Sequence, residues 1–287
     1  MAASTQRFLS FSMGQNDWDQ VQRVFYYSIL LHITIGVIII IIIEAAGVYL
    51  INHVLTIPYN KLEVASTVLH YLSISTFFSV IAVPYIAILI SHENMLLLSI
   101  IDIIEALFKL LIAFIILTAD NNRLITYAAL MAIVMCISLI IKIICCYKKY
   151  DETRLKLGFI KDKQLMKDIS TFAGWNLIGA TCGLARGQGI AMLLNIFFGV
   201  VVNAAYGIAN QVNGLLSFFS VAIMQSIRPQ IVKSEGSGDH TRMLRLSLIA
   251  CKYMFYLCAI FSIPLIINMP YILSLWLKDV PEYTVIF

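Results

Sequence analysis

The chain has 287 residues, of which 60% are hydrophobic and only 13% are charged, and its formal net charge is +4. A soluble domain carries about 25% charged residues, so this composition excludes an ordinary soluble protein. The positive charge does not predict a nucleic-acid partner, because the basic residues lie mainly in segments that flank long apolar stretches.

Seven apolar stretches follow one another, each long enough to cross a hydrocarbon core about 30 Å thick as a helix. In chain order they are 25–51, 64–90, 95–117, 124–146, 169–198, 204–226 and 246–269, and apolar residues begin again after Pro281. We therefore expect an all-α polytopic membrane protein. Its predicted parts are a cytoplasmic segment 1–24, four transmembrane helices in 25–146, a basic cytoplasmic loop 147–168, and three helices with the start of a fourth in 169–287.

The charges of the loops predict the orientation of the chain. Fifteen Lys and Arg residues lie in the N-terminal segment and in alternate loops, and eight of them fall between Lys142 and Lys167. The loops on the other side contain only Lys61, Arg123 and Lys278. Because cytoplasmic loops carry the excess of Lys and Arg, the N-terminus is predicted to lie in the cytoplasm.

A short motif occurs twice at an offset of 222 positions. Gly14-x-x-Asp17 precedes the first span and Gly236-x-x-Asp239 precedes the seventh, and an Arg follows each Asp after six positions. Six spans separate the copies, so both face the cytoplasm, as parallel repeats require. Two spans precede the second copy and none precedes the first. The repeat therefore predicts a fragment that lacks two N-terminal spans and a C-terminal remainder.

The third span carries three charged residues, Asp102, Glu105 and Lys109. They fall within about 60° of one helix face, and Glu105 and Lys109 have the favourable i,i+4 order of a helix ion pair. Charges within a span are costly, so they face protein or water. Two interpretations stay open, namely a cavity-lining cluster that binds ions or a polar substrate, and a self-compensating pair inside the bundle.

The fifth span combines small residues with one cation. Gly179, Gly183 and Gly187 are spaced four residues apart, which predicts close contact with another helix. Asn176 and Arg186 flank this stripe on the same side. The forked donors of Arg186 suit a phosphate or diphosphate group. The alternative is that Arg186 pairs with a carboxylate of the third span.

The sixth span has the most polar face of all. Six of its residues lie within about 80° of one another, with Gln211 and Asn213 at the margins: Asn203, Gly207, Asn210, Gly214, Ser217 and Gln225. A helix that faces lipid does not tolerate such a face. We interpret it as the lining of a water-filled cavity, with hydrogen-bonded packing between helices as the alternative.

No catalytic pattern accompanies these spans. Glu44 and His70 stand alone in the first two spans, and we interpret each as a satisfied bundle residue or an interfacial one. The sequence contains no phosphate-binding glycine loop, no histidine cluster with metal-ligand spacing and no nucleophile elbow. We therefore expect neither an enzyme nor a cofactor or metal site.

Residues 203–213, followed by 228–231, resemble the polysaccharide-biosynthesis flippases of the multidrug/oligosaccharidyl-lipid/polysaccharide superfamily, in particular the O-antigen and capsule exporters of Bacteroides-like bacteria. Residues 6–17 resemble the family's turn from helix two into helix three. The resemblance implies a two-lobed helical bundle like that of the MATE exporters, with about twelve to fourteen helices around a central cavity. This chain would supply helices three to nine.

The resemblance also implies a function, the translocation of polyprenyl-diphosphate-linked oligosaccharide across the bacterial inner membrane for surface polysaccharide such as the O-antigen of lipopolysaccharide. The substrate-binding candidates are then Arg186, Lys109, Asn176, Asn203, Asn210, Gln211 and Gln225. Asp102 and Glu105 are the candidates for ion coupling. The expected partners are the lipid-linked oligosaccharide, membrane lipids, a glycan polymerase and glycosyltransferases. The alternatives are an inactive fragment, a multidrug-type small-molecule exporter and a non-transporting scaffold for glycan assembly.

Overall fold

A computed structural model of the protein describes residues 2–54, 58, 61–118, 123–154, 162–277, 281 and 284. Part of the predicted basic loop, residues 155–161, lies outside the described residues. Lys278 and most of the predicted start of an eighth span lie outside them as well. Throughout the described ranges the regular structure is helical.

Eight α-helices follow one another along the chain: α1 Ala2–Gly14, α2 Trp18–His53, α3 Leu62–Ser91, α4 Met95–Thr118, α5 Arg123–Lys149, α6 Lys163–Gly236, α7 His240–Ile267 and α8 Met269–Trp276. Five of them, α2, α3, α5, α6 and α7, are long and apolar enough to cross a membrane. With 24 residues, α4 also has the length of a span, and it carries the three charges of the third predicted span. The prediction of an all-α polytopic membrane protein is confirmed.

The long helix α6 contains a break at Gly199, where φ is 82° and ψ is −176°. This backbone conformation is essentially restricted to glycine, because a Cβ atom would clash with the neighbouring peptide groups. Gly199 falls between the fifth and sixth predicted spans. The 74 helical residues are therefore two helices that meet at one residue.

The chain forms two compact units, Met1–Thr171 and Phe172–Phe287. In the first unit α3 is the central helix and packs against α1, α2 and α5. The main buried core of this unit lies at one end of these helices, the end that the loop charges assign to the cytoplasm. Its most deeply buried members are Leu9, Val21, Val24, Phe25, Ala87, Ile88, Leu89 and Cys146.

The predicted repeat is present as a repeated turn. In Gly14–Asp17 and Gly236–Asp239, corresponding backbone N–H groups donate to the carbonyl oxygens four, three and five residues earlier, at 2.9–3.1 Å. The third residue of each turn has positive φ, 59° at Asn16 and 77° at Gly238. The Asp side chain then caps the next helix, with distances of 2.9 Å to the Gln20 N–H and 2.8 Å to the Arg242 N–H.

A third copy of this turn joins α3 to α4 over Ser91–Asn94. Its backbone hydrogen bonds follow the same pattern at 2.9–3.0 Å, and Glu93 has φ 59°. Asn94 Oδ1 accepts from the Leu97 N–H at 3.4 Å. The sequence did not predict this copy, because Ser, His, Glu and Asn replace the Gly-x-x-Asp pattern although the backbone geometry is preserved.

Candidate functional site

In the first unit Glu105 of α4 lies between two lysines. Lys109 Nζ, one turn further along α4, donates to Glu105 Oε1 at 2.7 Å. Lys142 Nζ on α5 lies 3.5 Å from Oε2. Ser138 Oγ donates to the same oxygen at 2.6 Å and accepts from Lys142 Nζ at 2.8 Å. One carboxylate is therefore held by two ammonium groups and one hydroxyl.

Lys142 was counted with the charges of the cytoplasmic loop, and that interpretation is wrong. It lies within α5, and only 5% of its side chain is exposed. The Ser138–Lys142 spacing of four residues places both side chains on the face of α5 that meets α4. That spacing was the only sequence signal, because the partner carboxylate belongs to another helix.

Asp102 completes this charge group at its exposed side. It lies one turn before Glu105 and interacts electrostatically with Lys142, Glu105 and Lys109. The group thus contains two carboxylates and two ammonium groups. The self-compensating pair considered in the sequence is present, and Lys109 is already engaged by Glu105.

In the second unit, the amide side chains of the sixth predicted span lie on an open helix face. Asn210 and Gln211 are exposed, and Asn203 and Gln225 are half-buried. None of these four hydrogen-bonds to another residue in the part of the chain that the structure describes. Asn176, by contrast, donates from Nδ2 to the Phe172 carbonyl of its own helix at 2.8 Å. The four amides of this face are therefore available to a polar molecule.

The opposite face of the same helix lines a half-open apolar pocket of about 270 Å³. Residues from this helix, α7 and α8 contribute to it, including Ile208, Val212, Leu216, Leu265, Ile266 and Leu273. At 100° per residue the pocket face and the amide face point in opposite directions. The described residues of this unit therefore enclose an apolar space, and the amide face remains outside it.

Arg186 is exposed, and no ion-pair partner for it lies among the described residues. The neighbouring glycines are open too. No heavy atom lies within 4 Å of the position that a Cβ would take at Gly179, Gly183 or Gly187. The close helix contact predicted for these three glycines is absent from the described part of the chain, because no other helix covers their face there.

Glu44 and His70 were interpreted as isolated, and this is also wrong. His70 Nδ1 of α3 lies 2.7 Å from Glu44 Oε2 of α2. Ser73 Oγ donates to Glu44 Oε1, and Ser66 Oγ lies 3.4 Å from His70 Nε2. The two residues are 26 positions apart and meet only when α2 packs against α3.

At the predicted cytoplasmic end, His92 is stacked between two aromatic rings. Its ring centroid lies 4.0 Å from that of Tyr150 and 6.4 Å from that of Trp18. His92 Nε2 pairs with a carboxylate oxygen of Glu152, and these residues border a polar pocket of about 410 Å³. Burial acts to raise the pKa of Glu152, but hydrogen bonds from His92 and from the backbone outweigh it and lower the pKa overall.

No group of three or more His, Cys, Asp and Glu side chains arranged to hold a metal ion occurs among the described residues. The polar groups of the structure are therefore an ion-pair cluster on α4 and α5, a carboxylate–imidazole pair on α2 and α3, and an amide face on the second part of α6. Such groups bind and orient polar molecules or ions.

The sequence matches the model of a protein family described as "Polysaccharide biosynthesis protein" over residues 7–235. A search of curated proteins gave no match. The expected resemblance is therefore found at the level of the family model, which covers most of the chain.

The structure is similar to solved MATE transporters. The crystal structure of the Vibrio cholerae MATE transporter VcmN in the bent form has a TM-score of 0.81 and 13% identity, and the match covers 99% of this chain and 66% of that chain. A crystal structure of a VcmN mutant gives 0.76, 14%, 99% and 64%. An outward-facing multidrug resistance MATE family transporter of the MOP superfamily gives 0.74, 17%, 99% and 63%. The fold is shared, and the chain spans slightly less than two thirds of each transporter.

Proposed function

Because the chain belongs to the polysaccharide biosynthesis protein family, we propose that it serves as a flippase for lipid-linked oligosaccharide. It moves an oligosaccharide attached to polyprenyl diphosphate from the cytoplasmic to the periplasmic leaflet of the bacterial inner membrane. Its N-terminus lies in the cytoplasm. Family and fold are those of transporters, and catalysis has no part in this proposal.

The observation that carries the proposal is the open amide face of residues 203–225. Asn210 and Gln211 are exposed on a helix that is otherwise apolar enough to cross a membrane. An amide offers two donors and an acceptor, which match the hydroxyl groups of a sugar. Hydrocarbon offers no such partner, so a polar occupant is the physical reason for this face.

The diphosphate of the substrate requires positive charge. Arg186 is exposed and presents a rigid fork of donors that matches phosphate oxygens. Lys109 is a second candidate, since Glu105 keeps Lys142 and Ser138 as partners when Lys109 turns to an anion. The prenyl chain stays in lipid, because burying its apolar surface there is favourable.

The partners follow from the same chemistry. Glycosyltransferases must build the oligosaccharide on its lipid before translocation, and a glycan polymerase consumes it afterwards. Membrane lipids surround the apolar helices, which expose large hydrophobic side chains such as Ile42, Phe114 and Phe197. These partners are part of the proposal, as are the coupling roles of Asp102 and Glu105.

The test measures glycan export in a bacterial strain deleted for the matching full-length gene. The 287-residue chain, its Arg186→Ala variant and its Asn210→Leu variant are expressed at equal membrane levels, and surface glycan is assayed. We expect glycan with the unchanged chain and a loss with both variants. An Arg242→Ala variant is the control, because Arg242 is an exposed arginine in the first turn of α7.

Three outcomes count against the proposal or refine it. Unchanged export in Arg186→Ala removes Arg186 from the site. No glycan with the unchanged chain, together with retained binding of glycan-assembly enzymes, favours the scaffold. Drug resistance without glycan favours a multidrug-type exporter. The charge balance argues against the last of these, because both α4 carboxylates interact with lysines and neither is left for a cationic drug.

A further inference from the structure

The Glu44–His70 pair has the geometry of a proton-binding site. His70 Nδ1 lies 2.7 Å from Glu44 Oε2, and Ser73 Oγ donates to the other carboxylate oxygen. A carboxylate only accepts hydrogen bonds, so the proton of neutral His70 lies on Nδ1. His70 Nε2 then carries the free lone pair, and its only neighbour of this kind in the described structure is Ser66 Oγ at 3.4 Å.

The helices approach closely where this pair forms. A Cβ at Gly47, almost one turn after Glu44, would lie 2.5 Å from Leu69 Cδ1, next to His70. The missing side chain at Gly47 therefore lets α3 approach α2 until imidazole and carboxylate meet. The pair is fixed by helix packing, and His70 is nevertheless 54% exposed and Glu44 28% exposed.

A polar stripe leads from the predicted extracytoplasmic end of α3 to this pair. Glu63, Ser66, Thr67, His70 and Ser73 lie within about 120° of one helix face. Seven residues separate Glu63 from His70, so the imidazole lies about 10 Å from the start of the helix. A half-exposed imidazole at that depth is costly against lipid, which indicates that it faces water from that side.

The surrounding charges leave this pair to itself. The helices packed against it are α2, α3 and α5, and their other titratable side chains in this half of the unit are Tyr49, His53, Glu63, Tyr71, Arg123 and Tyr127. None of these forms an ion pair with Glu44 or His70 in the described residues. Glu105 differs, since two lysines and a serine already hold its charge.

We infer that Glu44, His70 and Ser73 form a proton-binding site that opens to the extracytoplasmic side. The incoming proton binds His70 Nε2, the N–H on Nδ1 remains hydrogen-bonded to Glu44, and the net charge of the pair changes from −1 to 0. A neutral pair tolerates desolvation far better than a lone negative charge does. Sodium is excluded as the occupant, because it prefers a shell of oxygen atoms and the imidazole nitrogen occupies one side of this carboxylate.

Proton binding is tested directly in the purified chain in lipid nanodiscs. The five histidines are labelled with nitrogen-15, and the His70 signal is identified by its loss in His70→Gln. We expect this signal to titrate between about pH 5 and pH 8, the range in which histidine changes charge. Glu44→Gln should reduce the proton affinity of His70 about tenfold, because the neighbouring negative charge is lost.

Two results overturn the proton site. One is a His70 signal that does not change over this range, and the other is a signal that shifts when sodium replaces potassium at constant pH. Glu105→Gln is the matched control for a lost carboxylate, and it should leave the His70 titration unchanged because Glu105 pairs with lysines on α4 and α5.

A transport consequence rests on the proposed function. In proteoliposomes with a fluorescent lipid-linked oligosaccharide and an internal pH dye, we expect a pH gradient to accelerate substrate movement, and His70→Gln to abolish the acceleration. His240→Gln is the control, since His240 pairs with Glu235 at 2.9 Å in the turn before α7. Equal rates with and without the gradient remove the coupling and leave the flippase. No movement at all removes the flippase, and the histidine titration still decides the proton site.

Discussion

Lys142 Nζ of α5 lies 3.5 Å from Glu105 Oε2 of α4 and is far more buried than Lys109, which holds the other carboxylate oxygen. The two lysines therefore contribute unequally. An exposed ammonium recovers its hydration when the carboxylate is removed, whereas a buried one does not. Glu105 is thus the residue that permits Lys142 to lie inside the bundle.

We expect Glu105→Gln to lower the free energy of unfolding by about 3 kcal/mol, because it leaves a buried charge without its partner. Lys109→Gln should cost less than about 1 kcal/mol, since 39% of that side chain is exposed to solvent. Thermal unfolding of both variants in the same detergent gives the comparison. Equal losses would contradict the unequal roles of the two lysines.

Two exposed asparagines on α6 test the amide face. Asn210 has no hydrogen bond to another described residue, whereas Asn176 donates to Phe172 of its own helix. Asn210→Leu should reduce substrate movement about tenfold, the equivalent of one hydrogen bond of about 1.4 kcal/mol. Asn176→Leu should change it little. The measurement is the initial rate in proteoliposomes at matched protein density, and a larger effect for Asn176 would reverse the assignment.

The pair formed by His92 and Glu152 predicts a loss of stability in acid. The folded-state pKa of Glu152 is lowered, because the hydrogen bonds from His92 and the backbone outweigh burial. Its contribution is therefore present above the unfolded pKa of about 4.3 and is lost as the pH falls through the lower folded value. Unfolding is measured from pH 6 downwards.

Glu152→Gln should flatten this acid limb of the stability profile. Asp151→Asn is the matched control, because Asp151 is adjacent in the chain but 87% exposed, and its bond to Arg154 at 3.0 Å lies in solvent. An acid limb that is unchanged in Glu152→Gln, or flattened as strongly in Asp151→Asn, would refute the prediction.

The repeated turn predicts which residues its third position accepts. Gly238 has φ 77°, so Gly238→Ala should lower the free energy of unfolding by about 1–2 kcal/mol. Gly238→Asn copies the first turn, in which Asn16 has φ 59°, and should cost less because asparagine tolerates this region. The two variants are compared by thermal unfolding. An alanine that is tolerated better than asparagine would show that backbone strain does not govern this position.

The helices were predictable from the sequence because lipid leaves the backbone no alternative. Each apolar block must satisfy its own hydrogen bonds, so the predicted spans are helical and the break at Gly199 falls between two of them. The repeat was also visible, because Gly14 and Asp17 recur as Gly236 and Asp239 with the same backbone hydrogen bonds.

The ion pairs were less predictable, because they depend on the register between helices. Glu105 and Lys109 lie on one helix, and their pairing follows from spacing alone. Lys142 meets Glu105 across 37 positions and His70 meets Glu44 across 26, and no periodicity within one helix contains this information. The stripe of Gly183 and its neighbours failed for the same reason, since spacing predicts a suitable face but does not supply a partner helix.

The main core of the first unit gathers at one end of its helices, where Phe25, Ile88 and Cys146 are fully buried. Such a body behaves like a tuning fork, with a stiff base and compliant prongs. Spreading the prongs separates few packed side chains, so thermal motion there requires little free energy, and amide exchange should be fastest near Glu63 and slowest near Ile88. Wherever the unit bends, water reaches the imidazole of His70 before it reaches the base.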